Sequence, residues 1–285
     1  FTGHRFDGIA AAVQLMVEDS VTRWFREVQA KYRSNSAVFA GGVAMNVKLN
    51  MLLAQECGLE DFYVAPSPSD DTLCIGACYM AEVATEPNSW ENLHPVDDPY
   101  LGPNITDDRI ANALKNSSTE KDFKIEYGVT AGRVAEFLDE GHVVARVCGR
   151  MEFGARALGN RSILADPRNT AVVNKINRQI KNRDFWMPFA PVVMEQRATD
   201  YFEEIRSINA LSYMMIATQT TEQGAKDLVG ATHSGDATVR PQILSESQNP
   251  AYFAILKEFE KLTGVGGLLN TSFNLHGEPI ACTPE

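Results

Sequence analysis

The stretch RVCGRMEFGARALGNRSILADPRNTAVVNKINRQIKNR, residues 146–183, reverses the sign of the chain around it. It holds nine basic residues (Arg146, Arg150, Arg156, Arg161, Arg168, Lys175, Arg178, Lys181, Arg183) against two acids (Glu152, Asp166), a local +7 in a chain of formal net charge −11. A Lys/Arg run is ordinarily a solvated face. Here Arg outnumbers Lys seven to two, and Gly149, Phe153, Gly154, Leu158 and Gly159 are interleaved with it instead of Glu. Arg offers a planar fork of donors that grips phosphate or carboxylate bidentately, and Gly lets backbone approach a ligand closely. The pattern predicts an anion pocket.

Outward from this stretch the chain reads as alternating helices and strands. Before it, helices are predicted over 106–115 and 131–140, with strands near 123–127 and in HVVARVCGRM (142–151). After it come MPFAPVVM (187–194), the strand-like YMMIATQT (213–220) and a turn-rich segment. In that segment ATHSGDATVRPQIL (231–244) sets His233, Asp236, Thr238 and Arg240 close together, ahead of a helix over 250–263. The closing GVGGLLNTSFNLHGEPI (264–280) is a short apolar strand at Leu268 and Leu269 running into Asn270, Thr271, Ser272 and Asn274. Amides and hydroxyls at a strand end serve phosphate contact or a plain Asx or ST turn, and the residues leave both open.

Towards the N-terminus, apolar positions at helical spacing predict an amphipathic helix over 7–33. SAVFAGGVAMNVKLNMLLAQECG (36–58) reads as a buried strand over 37–40, a turn at Gly41 and Gly42, and a helix over 44–56. Such a strand, glycine turn and helix N-terminus can hold a phosphate, or can use glycine for geometry alone. A second strand is expected over 61–66, then SPSDDTLCIGACYMAEVA (67–84), a polar loop feeding a helix. Asp70 and Asp71 stand where N-caps belong, and a carboxylate there can also hold a metal. From 86 to 103 the composition turns to Pro, Asn, Asp and Trp, which predicts a linker.

At 285 residues two domains are expected, in a chain with the 44% hydrophobic and 22% charged content of a soluble globular protein. No apolar run reaches the roughly 18 residues of a membrane span, and the overall acidity argues against a nucleic-acid partner. Cys57, Cys74, Cys78, Cys148 and Cys282 form no CxxC pair, which points to a reducing, cytoplasmic setting, and Cys74 and Cys78, four apart, are expected as buried small hydrophobes in preference to metal ligands. The chain opens on Phe1 and stops directly after a Gly/Pro-rich turn, and is expected to be a piece of something longer.

The residues resemble the O-carbamoyltransferase family of antibiotic and nodulation-factor biosynthesis. The resemblance is carried by AGGVAMN (40–46), SDDTLCIGA (69–77), GRMEFGARALGNRSILADPRN (149–169), KNRDFWMPFAPVV (181–193), TVRPQ (238–242) and LLNTSFNLHGEPIACTPE (268–285). It implies an α/β (α+β) chain: residues 1–86 as the second half of an actin-like ATPase fold, similar to the threonylcarbamoyl transferase of tRNA modification, a linker over 87–104, and a YrdC-like domain with a twisted mixed sheet over 105–285. It implies that the YrdC-like domain combines carbamoyl phosphate with ATP into carbamoyl-adenylate, and that the actin-like domain passes the carbamoyl group to the hydroxyl of a small-molecule acceptor with help from a metal ion.

Residue by residue, the resemblance implies ATP contacts from Lys181 and Arg183 (a KxR element) and from Ser272 and Asn274. Gly41, Gly42 and Asn46 match a nucleotide-binding turn, and Ser162, Thr238 and Asn270 complete the expected nucleotide set. Arg150, Arg156, Arg161 and Arg240 are expected to hold carbamoyl phosphate or leaving pyrophosphate, and His233 either donates to the same anion or serves structure alone. Several phosphate charges in one cavity need such a cluster. Asp70 matches the ligand of iron or another transition metal, with Mg accompanying ATP.

Three departures stand out: Thr72 and Ala155 replace the family's usual Gly and Pro, and the HxxxH pair of the metal site is missing, His4 being the only His before residue 94. One carboxylate does not hold a transition metal tightly, so this chain is expected to bind metal poorly and not to complete the transfer by itself. Two other functions fit the residues, a threonylcarbamoyl-adenylate enzyme of tRNA modification and a non-catalytic nucleotide-binding module, and homo-oligomerisation is open.

Overall fold

The structure, a computed structural model, describes residues 5–96, 98–117, 122–182, 187–203 and 208–284. The helix Phe6–Tyr32 opens it, and its Phe25 packs edge-to-face on Phe39 and Phe62, ring centroids 5.3 and 6.3 Å away. Those two rings belong to β1 (Ser36–Phe39) and β2 (Asp61–Val64), which pair in parallel. β1 was expected to be buried, yet only Phe39 is; Val38 is 73% exposed because nothing described packs on that face.

The glycine turn does not lead straight into a helix. A 3-10 turn, Gly42–Met45, comes first, and the helix Val47–Glu56 begins at Asn46, whose side chain accepts from Leu49 N and so satisfies an orphan donor of the first turn. Neither Asp70 nor Asp71 caps the helix Leu73–Thr85; both lie in the 3-10 turn Asp70–Thr72 ahead of it. That helix buries none of its residues, so Cys74 and Cys78 are exposed, against expectation, while Cys57 is buried.

The expected linker packs closely. Tyr63 and Tyr213 donate to the Val96 carbonyl, and Tyr100 Oη donates to Leu158 O at 2.8 Å. Then β3 (Asn104–Ile105) pairs with the two-residue strand Gly149–Arg150. The helix Asp107–Asn116 is capped by Thr106 and the helix Ala131–Asp139 by Thr130. No strand forms over 122–128, where Phe123 and Tyr127 are exposed with no neighbouring strand to pair with.

The main sheet is mixed. β4 (Val144–Val147) precedes β5 (Gly149–Arg150), β6 (Arg161–Ala165) and β7 (Ala190–Met194). β8 (Thr218–Gln219) pairs with β9 (Thr238–Val239) in a small ribbon, and β10 (Gln242–Leu244) and β11 (Gly267–Ser272) complete the set. The order is β10-β7-β11-β6-β4, with β10 and β7 parallel and the other pairs antiparallel. The α/β class and mixed sheet are as expected. Gly149, at φ +52°, turns the chain out of β4 into β5, which breaks the single expected strand over 142–151. Of 213–220 only Thr218–Gln219 is strand; the buried run before it turns at Met214, φ +62°.

β6 is buried at every residue because both sheet faces are covered. Leu164 and Leu268 pack with the helices Ala131–Asp139 and Pro250–Thr263, while Ile163, Ala165 and Leu269 pack with Val172 and Ile176 of the helix Thr170–Ile176. The larger core is continuous from Leu49, Leu53 and Val64 through Met215 to Leu268. Backbone joins what the core joins: Ala217 N donates to Val47 O, and buried Asn50 donates to Ala44 O and Met215 O. Among the described residues no helix is long and apolar enough to cross a membrane.

Candidate functional site: two chambers with shared arginines

Residues 149–161 form a loop folded around one carboxylate. Glu152, 6% exposed, accepts from the backbone N–H of Leu158 (2.7 Å), Asn160 (2.7 Å) and Arg161 (3.2 Å) through Oε1. Gly159 lies at φ +119° with the Tyr252 ring so close that a Cβ would stand 2.3 Å from it, so only glycine lets the loop close here. Ser162 Oγ accepts from Gly159 N at 2.9 Å. The fold of the loop carries residues 155–157 to the rim of a cavity.

That cavity has two chambers. The smaller, about 100 Å³, is walled by Arg156, Arg240, Phe189 and, from β11, Asn270, Thr271 and Ser272. The larger, about 280 Å³, shares Arg156, Arg240, Pro188 and Phe189 with it and adds Lys48, His233 and Thr238. Arg156 is the decisive side chain: its Nε is buried and no described group accepts from it. Burial pushes its pKa below the ordinary arginine value, although a guanidinium remains charged at neutral pH. A buried charge with an unused donor is costly unless an anion meets it.

Two other walls are built from hydrogen bonds. Asn270 Nδ2 donates to Ala157 O (3.0 Å) and Gln242 Oε1 (3.2 Å), while its own Oδ1 is buried and accepts from no described group. Behind the wall of the larger chamber, Asp236 Oδ1 accepts from Thr238 Oγ1 (2.7 Å) and lies 2.9 Å from His233 Nδ1, and its Oδ2 accepts from Lys48 Nζ at 2.7 Å. Burial alone would raise the Asp236 pKa, but the donors from Lys48 and Thr238 outweigh it and hold the carboxyl well below the usual carboxylate range. His233 and Thr238 are thereby fixed on the wall, tied through Lys48 to the helix Val47–Glu56.

The structure therefore gathers Arg156, Arg240, Asn270, Ser272, His233 and Thr238, and separates the other expected residues from them. Arg150 donates to Leu101 O (2.7 Å) and Gly102 O (3.2 Å) and is exposed outside both chambers. Arg161, fully buried, donates to the carbonyls of Cys148 (2.7 Å), Asn160 (2.8 Å) and Gly149 (3.3 Å), and Ser162 is equally internal. Lys181 Nζ braces the closing turn, donating to Asn274 Oδ1 (2.7 Å), Asn274 O (3.0 Å) and Ser272 O and Oγ. Arg183 lies outside the described residues.

In the first part of the chain, Gly41 N donates to Pro68 O and Asn46 caps its own helix and pairs with Gln14, so these groups face protein and not a phosphate; Gly42 is exposed beside them. Asp70 is exposed, and among the described residues no group of three His, Cys, Asp or Glu could hold a metal. The metal implied by the resemblance does not fit here. Lys48 and Glu152 escaped the sequence reading; Lys48 stands two residues after the GGVAMN turn, and Glu152 was counted only as an acid in a basic stretch.

Comparison with known proteins adds the family. Residues 135–285 match the model described as carbamoyltransferase C-terminus, and residues 3–79 the carbamoyltransferase N-terminus. An uncharacterized protein of Methanocaldococcus jannaschii is 37% identical over 98% of this chain and 45% of its own length. Nodulation protein NolO of Bradyrhizobium diazoefficiens is 34% identical over 95% of this chain and 49% of its own, and nodulation protein NolNO of Sinorhizobium fredii 38% over 85% and 35%. The chain spans about half the length, or less, of these relatives.

Proposed function

We proceed from the fact that the chain belongs to the carbamoyltransferase family, and we propose that it carries the carbamoyl-activating site of an ATP-dependent O-carbamoyltransferase. In this reading carbamoyl phosphate, ATP and water give carbamoyl-adenylate, pyrophosphate and phosphate. The hydroxyl of a small-molecule acceptor then attacks the carbamoyl carbon; the new C–O bond forms as the bond to AMP breaks and the hydroxyl proton leaves.

The observation that carries the proposal is Arg156, half-buried, with a buried Nε that no described group accepts from, and standing with Arg240 on the wall common to both chambers. Two anions meeting across a shared pair of guanidinium groups is the geometry that joining two phosphate compounds requires, and in a partly dry cavity each charge-assisted bond is stronger than in water. We assign carbamoyl phosphate to the smaller chamber, whose volume admits a compact anion and no nucleotide, and the ATP phosphates to the larger, beside Lys48, His233 and Thr238. Ser272, held by Lys181, stands on the carbamoyl phosphate side. Division into an actin-like part over 1–86 and a YrdC-like part over 105–285 belongs to the same proposal, as does delivery to the acceptor by the full-length protein. No step is assigned to a metal.

Incubating the full-length protein with ATP, carbamoyl phosphate and a sugar hydroxyl acceptor tests this. Mass spectrometry should find an acceptor-dependent carbamate that needs both ATP and carbamoyl phosphate. Carbamate formed equally well from bicarbonate and threonine, or no carbamate at all, would overturn the reading.

A further inference from the structure

We infer that Asn270 reads the amide end of the ligand in the smaller chamber, accepting through Oδ1 from a carbamoyl NH₂, and so selects carbamoyl phosphate against isosteric acyl phosphates. The inference rests on the assignment of carbamoyl phosphate to that chamber.

The orientation of the Asn270 amide is set by a chain of partners that allows one solution. Leu158 O can only accept, so the group Gln242 presents to it at 2.9 Å is Nε2, which leaves Gln242 Oε1 at the other end. Asn270 meets that oxygen at 3.2 Å and Ala157 O at 3.0 Å with the same atom, which must therefore be Nδ2. Turning the amide over would press Oδ1 against two acceptors. Oδ1 is consequently fixed in the other direction, buried in a residue 1% exposed that lines the smaller chamber, and it has no partner among the described groups.

A buried amide oxygen needs an N–H or O–H donor. Phosphate at neutral pH is chiefly an acceptor and cannot serve it, while Arg156 across the same chamber needs an anion. One small ligand must then present an anionic end and a donor end. Carbamoyl phosphate does so: the phosphate meets the guanidinium groups and the NH₂ meets Asn270. Acetyl phosphate has the same shape with a methyl in place of the NH₂ and leaves the oxygen unsatisfied. Leaving a buried acceptor unmet costs enough to separate the two ligands by about 10- to 100-fold.

The test is calorimetric titration of the full-length protein with carbamoyl phosphate, acetyl phosphate and inorganic phosphate, repeated with Asn270→Ser. The wild type should bind carbamoyl phosphate about 10- to 100-fold more tightly than acetyl phosphate, and N270S should bring the ratio near unity with acetyl phosphate affinity little changed. A residue with only a structural role would weaken both ligands together and keep the ratio. Equal wild-type affinity for the two acyl phosphates would overturn the role of Asn270 while leaving the proposed function standing. No binding of any of the three would overturn both. The wild-type comparison can still overturn the inference if N270S does not fold, which circular dichroism would reveal.

Discussion

Arg156 and Arg161 are five residues apart in one loop and live in opposite surroundings. Both leave a buried Nε that no described group accepts from, but Arg161 gives its two terminal nitrogens to backbone carbonyls of residues 148, 149 and 160, whereas the Arg156 guanidinium donates to no described group at all. Replacing each with Met should therefore move different quantities. Arg161→Met strands buried carbonyls and should lower the unfolding free energy by about 2 kcal/mol or more in a denaturant titration. Arg156→Met removes a desolvated charge, so the melting temperature should hold or rise while carbamoyl phosphate affinity falls about 10- to 100-fold. A site that sacrifices stability for binding behaves in this way. The sequence made the arginine density visible and could not apportion it, since a carbonyl satisfies a guanidinium as well as a phosphate does. Arg146 on Gly159 O and Asn160 Oδ1, Arg150 on residues 101 and 102, and Arg168 on Asp166 and Asp139 are all engaged within the protein.

Two short elements position the site, and each depends on a single carboxylate. The loop 149–161 closes on Glu152, so Glu152→Gln, which keeps the shape and removes the charge, should cost about 1–2 kcal/mol in a denaturant titration and weaken ligand binding through Arg156. The turn before β9 closes on Asp236, whose pKa is depressed in the folded protein. A depressed carboxylate stabilises the fold fully above its unfolded pKa of about 3.9 and loses that contribution progressively as pH falls from there through the lower folded value. The wild type should thus begin to lose this contribution once pH falls below about 4, and Asp236→Asn should be less stable than wild type near neutrality, the difference narrowing progressively in acid; melting curves across pH check this. Elements with strong periodicity were legible: the helices Phe6–Tyr32, Ala131–Asp139 and Pro250–Thr263 lie within a residue of their expected bounds. Strands were less so. β6 opens with Arg161 and Ser162, polar residues that the fold buries, and 213–217 is apolar because it is a buried turn.

At the scale of the molecule, the parts matched by the two family models share a core and lean on one another at the cavity. Lys48, next to the start of its helix, reaches Asp236, and Asn50 reaches Met215, so the larger chamber has walls from both parts. Pairing across 165 and 188 residues of sequence is invisible to periodicity, which is why a composition shift over 86–103 read as a tether although Tyr100 and Gly102 pack on the loop 149–161. Asn50→Ala, which strips both hydrogen bonds between the buried amide and the backbone, should lower stability by about 2 kcal/mol in the same denaturant assay. The central claim is that Arg156 joins two anionic substrates. It is tested most directly by measuring pyrophosphate release from ATP by the full-length protein with and without carbamoyl phosphate, in wild type and Arg156→Met. Release that requires carbamoyl phosphate and disappears in a folded R156M protein is the predicted result; release that is indifferent to carbamoyl phosphate, or that survives the substitution unchanged, would contradict it.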